Sequence, residues 1–345
     1  MLFRKSALVL MVFLASALPA AAQEEASEKD RPVKAVADRR LAVTTPAGAG
    51  ALALYLSQDW SRPLPAVARA VVTIHGVLRN ADVYNHSAEK ALASSGLDPA
   101  SVLLITPQFL DEGDVAAHGL AHDTLRWSYT GWEGGEDARG PAPISSFAAL
   151  DAVLAKLADR ALFPALKTVI VAGHSGGGQV VQRYAVAGRD VAGIDVRYVV
   201  ANPSSYAYFT PERPAGDGFA PFDGAACPGY DRWKYGMNAL PPYLAGRTAA
   251  ALEAAYVARN VTYLLGTADT NPNHPALDKS CMGEAQGPYR YARGLAYVRY
   301  LKLRHPAGFA HRLLEVPGVG HNGDGMFTSV CGLAAVYDKP GCGDR

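Results

Sequence analysis

An apolar, β-branched run, Val169-Ile170-Val171-Ala172, passes without a linker into Gly173-His174-Ser175-Gly176-Gly177-Gly178, and a helix-compatible stretch follows from Gln179 to Ala187. A strand that reverses into a helix this abruptly leaves no room for side chains at the bend, so the neighbours of the central serine must be small. The glycines of G-x-S-x-G meet that demand, and Ser175 is left projecting from the carboxyl end of a sheet. The helix behind it turns free amides and a positive dipole end toward any negative charge that develops there. A glycine-rich phosphate loop is the rival reading. It lacks its Lys-Ser/Thr pair, and neither G-x-G-x-x-G spacing nor an acid about 20 residues on is present. Ser175 is therefore a candidate nucleophile on a sheet-centred α/β fold.

The rest of the chain supports that architecture. Strand-like runs recur at Leu41–Thr45, Leu52–Leu56, Ala70–Ile74, Val102–Thr106, Tyr198–Ala201, Val261–Leu265 and Leu313–Val316. Helical patterns fall between them at Ala81–Ser94, Ser145–Ala161, Thr248–Ala258 and Tyr289–Arg304. Strand–helix alternation of this kind predicts a mostly parallel central sheet with helices on both faces. The chain has 345 residues, 49% of them apolar and 19% charged. At about 150 residues per domain the length alone would suggest two domains. No internal repeat or second core pattern appears, so one domain over 38–345 fits better.

A serine hydroxyl becomes nucleophilic when a histidine takes its proton and an acid orients that histidine. Reactive groups of open α/β sheets gather at the carboxyl ends of strands. The run ending at Leu265 leads to Asp269, and the run ending at Val316 leads to His321. His305 and His311 precede the last strand and belong at its amino end. His274 shares the loop of Asp269, Asp278 lies farther from a strand end, and Asn202 cannot serve as the acid. The expected catalytic set is Ser175, Asp269 and His321. An oxyanion hole needs two amide donors. Gly176 should supply one, and the loop His75-Gly76-Val77 the other, through Val77 or secondarily Leu78. His75 is expected to brace that loop. Arg79, Asn80 and Tyr84 either steady it or touch substrate.

The ends of the chain carry different information. Arg4 and Lys5, the apolar run Ala7–Leu18 and Ala20-Ala21-Ala22 predict a cleavable signal peptide over 1–22, with Gln23 as the first mature residue and 23–37 as a flexible lead-in. The apolar run is too short for a spanning helix, so no membrane span is expected in the mature protein. A formal charge of +1 provides no basic footprint for nucleic acid. In an oxidising compartment the four cysteines should form two disulfides. Cys227 with Cys281 and Cys331 with Cys342 are favoured because each pairing pins a loop rich in glycine and proline.

Two stretches break the strand–helix rhythm, Phe109–Pro143 and Asn202–Leu244. Structureless loops of this length are usually lids or binding walls, although their aromatics can equally pack them onto the domain. A lid over 202–244 is expected, with Trp127, Trp132, Tyr206, Trp233 and Tyr235 as candidate walls of an apolar or aromatic pocket. Asp111, Glu112, Asp114, His118, His122 and Asp123 cluster in the first loop, but without H-E-x-x-H they read as a solvated polar loop and not as a metal site.

Taken together, the segments GHSGGGQVVQRYA (Gly173–Ala185), NPSSY (Asn202–Tyr206), CPGYDRWKYG (Cys227–Gly236), QGPYR (Gln286–Arg290) and VPGVGH (Val316–His321) resemble the α/β-hydrolase superfamily. The likeness covers roughly residues 67–337, and the order Ser175, Asp269, His321 is that of its triads. More narrowly, the chain resembles exported bacterial and fungal serine hydrolases of undefined substrate. His75-Gly76-Val77 departs from the extended glycine run of lipase-type members. The resemblance implies secretion and cleavage of an ester or amide bond. The reading carried forward is an exported serine esterase acting on a small-molecule or polymeric ester without a cofactor. A peptidase or amidase on the same triad, or a catalytically silent binding protein on this scaffold, are the alternatives.

Overall fold

The computed structural model describes residues 31–343. The expected signal peptide, 1–22, and the mature start at Gln23 lie outside the described residues. Among the described residues, no helix is long and apolar enough to cross a membrane.

Strands β1 (Arg39–Thr45) and β2 (Gly48–Leu56) form an antiparallel pair. Next come β3 (Arg69–Ile74), helix α1 (Ala81–Ser95), β4 (Val102–Gln108), the short α2 (Glu112–Ala117) and α3 (Ser146–Leu157). The centre of the chain supplies β5 (Thr168–His174), α4 (Gly176–Ala187), β6 (Asp195–Ala201) and a hairpin of β7 (Glu212–Ala215) and β8 (Gly218–Pro221). It ends with α5 (Ala249–Val257), β9 (Asn260–Gly266), α6 (Cys281–Glu284), α7 (Arg290–Arg304), β10 (Arg312–Val316), α8 (Gly323–Thr328) and α9 (Val330–Tyr337). Eight strands join in one sheet in the order β1-β2-β4-β3-β5-β6-β9-β10. The pairs β1/β2 and β2/β4 are antiparallel and the remainder parallel. Every strand run read from the sequence is in this sheet.

Alternation along the strands divides the core in two. Val72 of β3, Ile105 of β4 and Val171 of β5 face α3, α4, α5 and α7, where Leu150, Val181, Tyr256 and Tyr297 are buried. Val71, Leu104 and Ile170, one position away, face α1, α8 and α9, with Leu92, Phe327 and Val336. A two-residue side-chain period thus buries both faces of the parallel strands.

The loop aromatics correct the expectation of an aromatic pocket. Trp127, Trp132 and Tyr206 are fully buried, and none of them lines either of the two cavities at Ser175. Trp127 Nε1 donates to Ile144 O, Trp132 stacks on Phe109, and Tyr206 stacks on Tyr297. Large apolar rings gain more by filling the seam between loop and sheet than by facing water. Glu112, His118, His122 and Asp123 of the polar cluster are exposed, as a solvated loop requires, and the departure is confined to Asp111 and Asp114. Asp111 and Asp114 form the capping box of α2, and Asp114 is buried against the Arg79 guanidinium at 2.6 Å. Of the expected flexible lead-in, the described part is held down: Val33 and Ala37 are buried, and the Val33 amide donates to Asp114 at 2.8 Å.

The disulfides are Cys227–Cys281 and Cys331–Cys342, as the loop argument favours. They close sequence separations of 54 and 11 residues. Loop-closure entropy scales as about 4 and 3 kcal/mol for such loops. Reduction should therefore lower the melting temperature, with Cys227→Ser/Cys281→Ser costing more than Cys331→Ser/Cys342→Ser. Four titratable thiols in the native, non-reduced protein would contradict both bridges.

Candidate active site

Ser175 sits between β5 and α4 with φ 58° and ψ −121°, a left-handed region that a non-glycine residue occupies only when its surroundings enforce it. The bend is enforced by close backbone approach. A Cβ on Gly177 would lie 2.2 Å from Ile74 O, and one on Gly173 would lie 2.3 Å from Gly177 O. This explains why α4 starts at Gly176, three residues ahead of the helical pattern in the sequence. Its glycine-rich first turn is poor in propensity but is the only composition that lets helix and sheet close on each other.

The three candidate side chains meet across the carboxyl ends of β5, β9 and β10. His321 Nε2 lies 2.9 Å from Ser175 Oγ, and His321 Nδ1 lies 2.8 Å from Asp269 Oδ2. Both distances suit hydrogen bonds, so one continuous array links hydroxyl, imidazole and carboxylate. Asp269 is 2% exposed. Burial raises its carboxyl above the usual range, and the Arg290 guanidinium, 3.7 Å from Oδ1, acts against that rise. His321 is held well below the ordinary histidine value by burial, then by the positive charges of Arg290 and His274.

That direction has a kinetic consequence. Only neutral imidazole can accept the serine proton, and a depressed value keeps His321 neutral to lower pH than a free histidine. The acid limb of kcat/KM should accordingly fall below pH 6.5, the ordinary histidine value. A limb above that value in a full pH–rate profile would contradict the assignment.

The expected oxyanion donors are adjacent. The Val77 amide nitrogen lies 3.0 Å from the point where a Cβ on Gly176 would stand. Gly176 opens α4, so its amide belongs to the first turn, which lacks intrahelical acceptors. His75 braces the loop: Phe109 N–H donates to Nε2 at 2.9 Å, and Nδ1 is 2.8 Å from Gly76 O. Burial lowers it to about 4, which keeps it neutral.

The structure also divides the residues that sequence left undecided. Arg79 is buried on Asp111 and Asp114 and steadies the loop, whereas Asn80 and Tyr84 line a cavity of about 310 Å³ at Ser175 and His321. Tyr84 OH is 3.1 Å from His174 Nδ1. His274 packs against His321 with ring centroids 4.8 Å apart, while His305 and His311 bond to Glu253 and to the Tyr256 carbonyl, away from Ser175.

A second cavity of about 250 Å³ opens on Ser175 from the Gly176 side. Tyr235, a candidate wall residue, does line it. Trp233 instead donates its indole N–H to the Gly134 carbonyl. Glu133, Gln179, Lys234 and Asp278 also line this cavity, and sequence reasoning assigned none of them a role in a binding pocket. They come from segments far apart in the chain, so no local spacing could signal their meeting. Arg290 and His174 were overlooked in the same way. Arg290 is fully buried, with Nε donating to Ser204 Oγ, and His174 is buried with its ring 4.5 Å from that of His321.

No protein-family model matches the chain, and no curated protein matches it by sequence. Among solved structures it is similar to the LpqC poly(3-hydroxybutyrate) depolymerase of Bordetella parapertussis, at a TM-score of 0.60 and 23% identity, covering 93% of this chain and 96% of that one. It is also similar to poly(aspartic acid) hydrolase-1 of Sphingomonas sp. KT-1, at a TM-score of 0.56 and 24% identity, covering 86% and 96% respectively. At such identity the likeness is one of fold. The chain has the α/β-hydrolase fold.

Proposed function

We propose that the protein is an exported serine hydrolase that cleaves carboxylic esters through an acyl-enzyme. The observation that carries this reading is the unbroken array from Ser175 Oγ through His321 to Asp269, at 2.9 Å and 2.8 Å, on a strained turn at a helix N-terminus. Ser175 Oγ attacks the carbonyl carbon while its proton passes to His321 Nε2. The carbonyl oxygen takes the negative charge and is held by the Gly176 and Val77 amides. As the C–O bond to the leaving alcohol breaks, His321 returns the proton to the departing oxygen. A water then gives a proton to His321 and attacks the acyl carbon, and His321 passes that proton to Ser175 Oγ as the acyl–Oγ bond breaks and the acid leaves. Asp269 keeps the imidazole in the tautomer that presents a lone pair to serine. No step calls for a metal or organic cofactor.

Export is supported by the signal-type segment 1–22 and by the two disulfides, which persist in oxidising compartments. The names of the two structural neighbours, one for poly(3-hydroxybutyrate) and one for poly(aspartic acid), keep a polymeric substrate beside a small molecule as the target. The test of bond type is a matched p-nitrophenyl ester and p-nitroanilide of one acyl group. The ester should have the higher kcat/KM. An anilide cleaved equally well or better would make the protein an amidase on the same residues.

A further inference from the structure

Resting on the serine-hydrolase reading above, we propose that the second cavity selects acyl groups carrying an O–H or N–H donor on the second or third carbon, in preference to plain hydrocarbon acyl chains. The geometry separates the two halves of the substrate. The leaving oxygen must reach His321 Nε2 to be protonated, and His321 lines the first cavity only. With the carbonyl oxygen on the Gly176 and Val77 amides, the acyl chain is directed into the second.

That second cavity is built from polar groups. Glu133 is 3% exposed, and its Oε1 lies 3.0 Å from the Cβ position of Gly176, the same point that the Val77 amide approaches. A carboxylate oxygen therefore stands beside the place where the carbonyl would bind. Oε1 accepts a hydrogen bond from Gln179 Nε2 at 3.3 Å and keeps lone-pair capacity for a second donor. Oε2 is paired with Lys234 Nζ at 2.6 Å. An unpaired anion here would oppose the developing oxyanion. The Lys234 ammonium offsets that field while leaving the carboxylate able to accept. Behind them, the buried Arg183 donates to the Glu133 main-chain carbonyl and to Gln179 Oε1, which holds the backbone at Glu133 and the Gln179 side chain in place. A hydrocarbon chain seated here would desolvate Glu133 and Lys234 without replacing their hydrogen bonds with water.

The experiment compares p-nitrophenyl esters of butyrate, 3-hydroxybutyrate and 3-aminobutyrate, each kcat/KM divided by that ester's own rate of alkaline hydrolysis. The hydroxy or amino ester should exceed butyrate by about tenfold to hundredfold, the range for one hydrogen bond to a charged group. Which of the two leads identifies the donor. The double variant Glu133→Leu/Lys234→Met, which removes both charges and the acceptor oxygens together, should bring the ratio to within about threefold of one; a merely structural role would lower all three esters by the same factor and leave the ratio intact. The wild-type ratio is decisive even where the variant does not fold. Hydrolysis of all three esters without preference, or with butyrate fastest, overturns the inference while sparing the serine-hydrolase reading. Hydrolysis of none overturns both.

Discussion

Ser175→Ala is expected to reduce kcat on an activated ester by about five to six orders of magnitude while leaving the melting temperature close to that of the wild type. The loss is this large because the serine and histidine act as a unit. Without Oγ there is nothing for His321 to deprotonate, and the acyl-enzyme cannot form. The Gly176 and Val77 amides and the two cavities remain, so a residual acceleration of about 10³-fold over water is expected, with water attacking the bound ester directly. The small stability effect follows from position. Ser175 is held by its backbone, with its amide donating to Ala201 O at 3.0 Å, and removing one hydroxyl leaves that bond in place. Alanine retains the strain of φ 58° at this residue but adds none. A fall of less than about a hundredfold would mean that another residue supplies the nucleophile.

Asp269→Asn is expected to lower kcat by about 10⁴-fold through the imidazole tautomer. Asp269 Oδ2 accepts from Nδ1, which leaves Nε2 bare toward Ser175. An asparagine can turn its NH₂ toward Nδ1, favouring the proton on Nε2, where it blocks attack. The substitution also removes the carboxylate that faces the buried Arg290 at 3.7 Å. An uncompensated buried cation costs about 3–5 kcal/mol when a close pair is broken. The Arg290 guanidinium retains hydrogen bonds to Ser204 Oγ and the Ala276 carbonyl, so the loss should fall at or below the lower end of that range. Activity and melting temperature should therefore both fall, with activity falling far more. A drop in kcat of less than tenfold, alongside intact folding, would remove Asp269 from the role of orienting acid.

How much of this was legible in the chain depends on how local each signal is. The sheet strands could be read, those other than the mostly exposed edge strand β1 because their apolar runs fill a two-sided core, and the bend at Ser175 because only glycines survive contact with Ile74 O and Gly177 O. Asp269 and His321 followed from strand ends, since chain order and sheet direction together fix where those loops emerge. Whether a tryptophan in a long loop faces substrate or the core could not be read. Trp127, Trp132 and Tyr206 turned inward because the seam between loop and sheet had space that rings fill best. The short helices α2, α6 and α8 were also missed, being held by caps at Asp111, Ser280 and Asn322 more than by an apolar stripe. Least legible was the charged lining of the second cavity. Glu133 and Lys234 are 101 positions apart and meet only through the folding of two irregular loops.

The most direct measurement is covalent labelling of the native protein with a fluorophosphonate, read by intact mass and by the modified peptide. The expected result is a single adduct on Ser175, absent from Ser175→Ala. Undiminished labelling of Ser175→Ala, or an adduct on a different residue of the native protein, would contradict the assignment of Ser175 as the nucleophile.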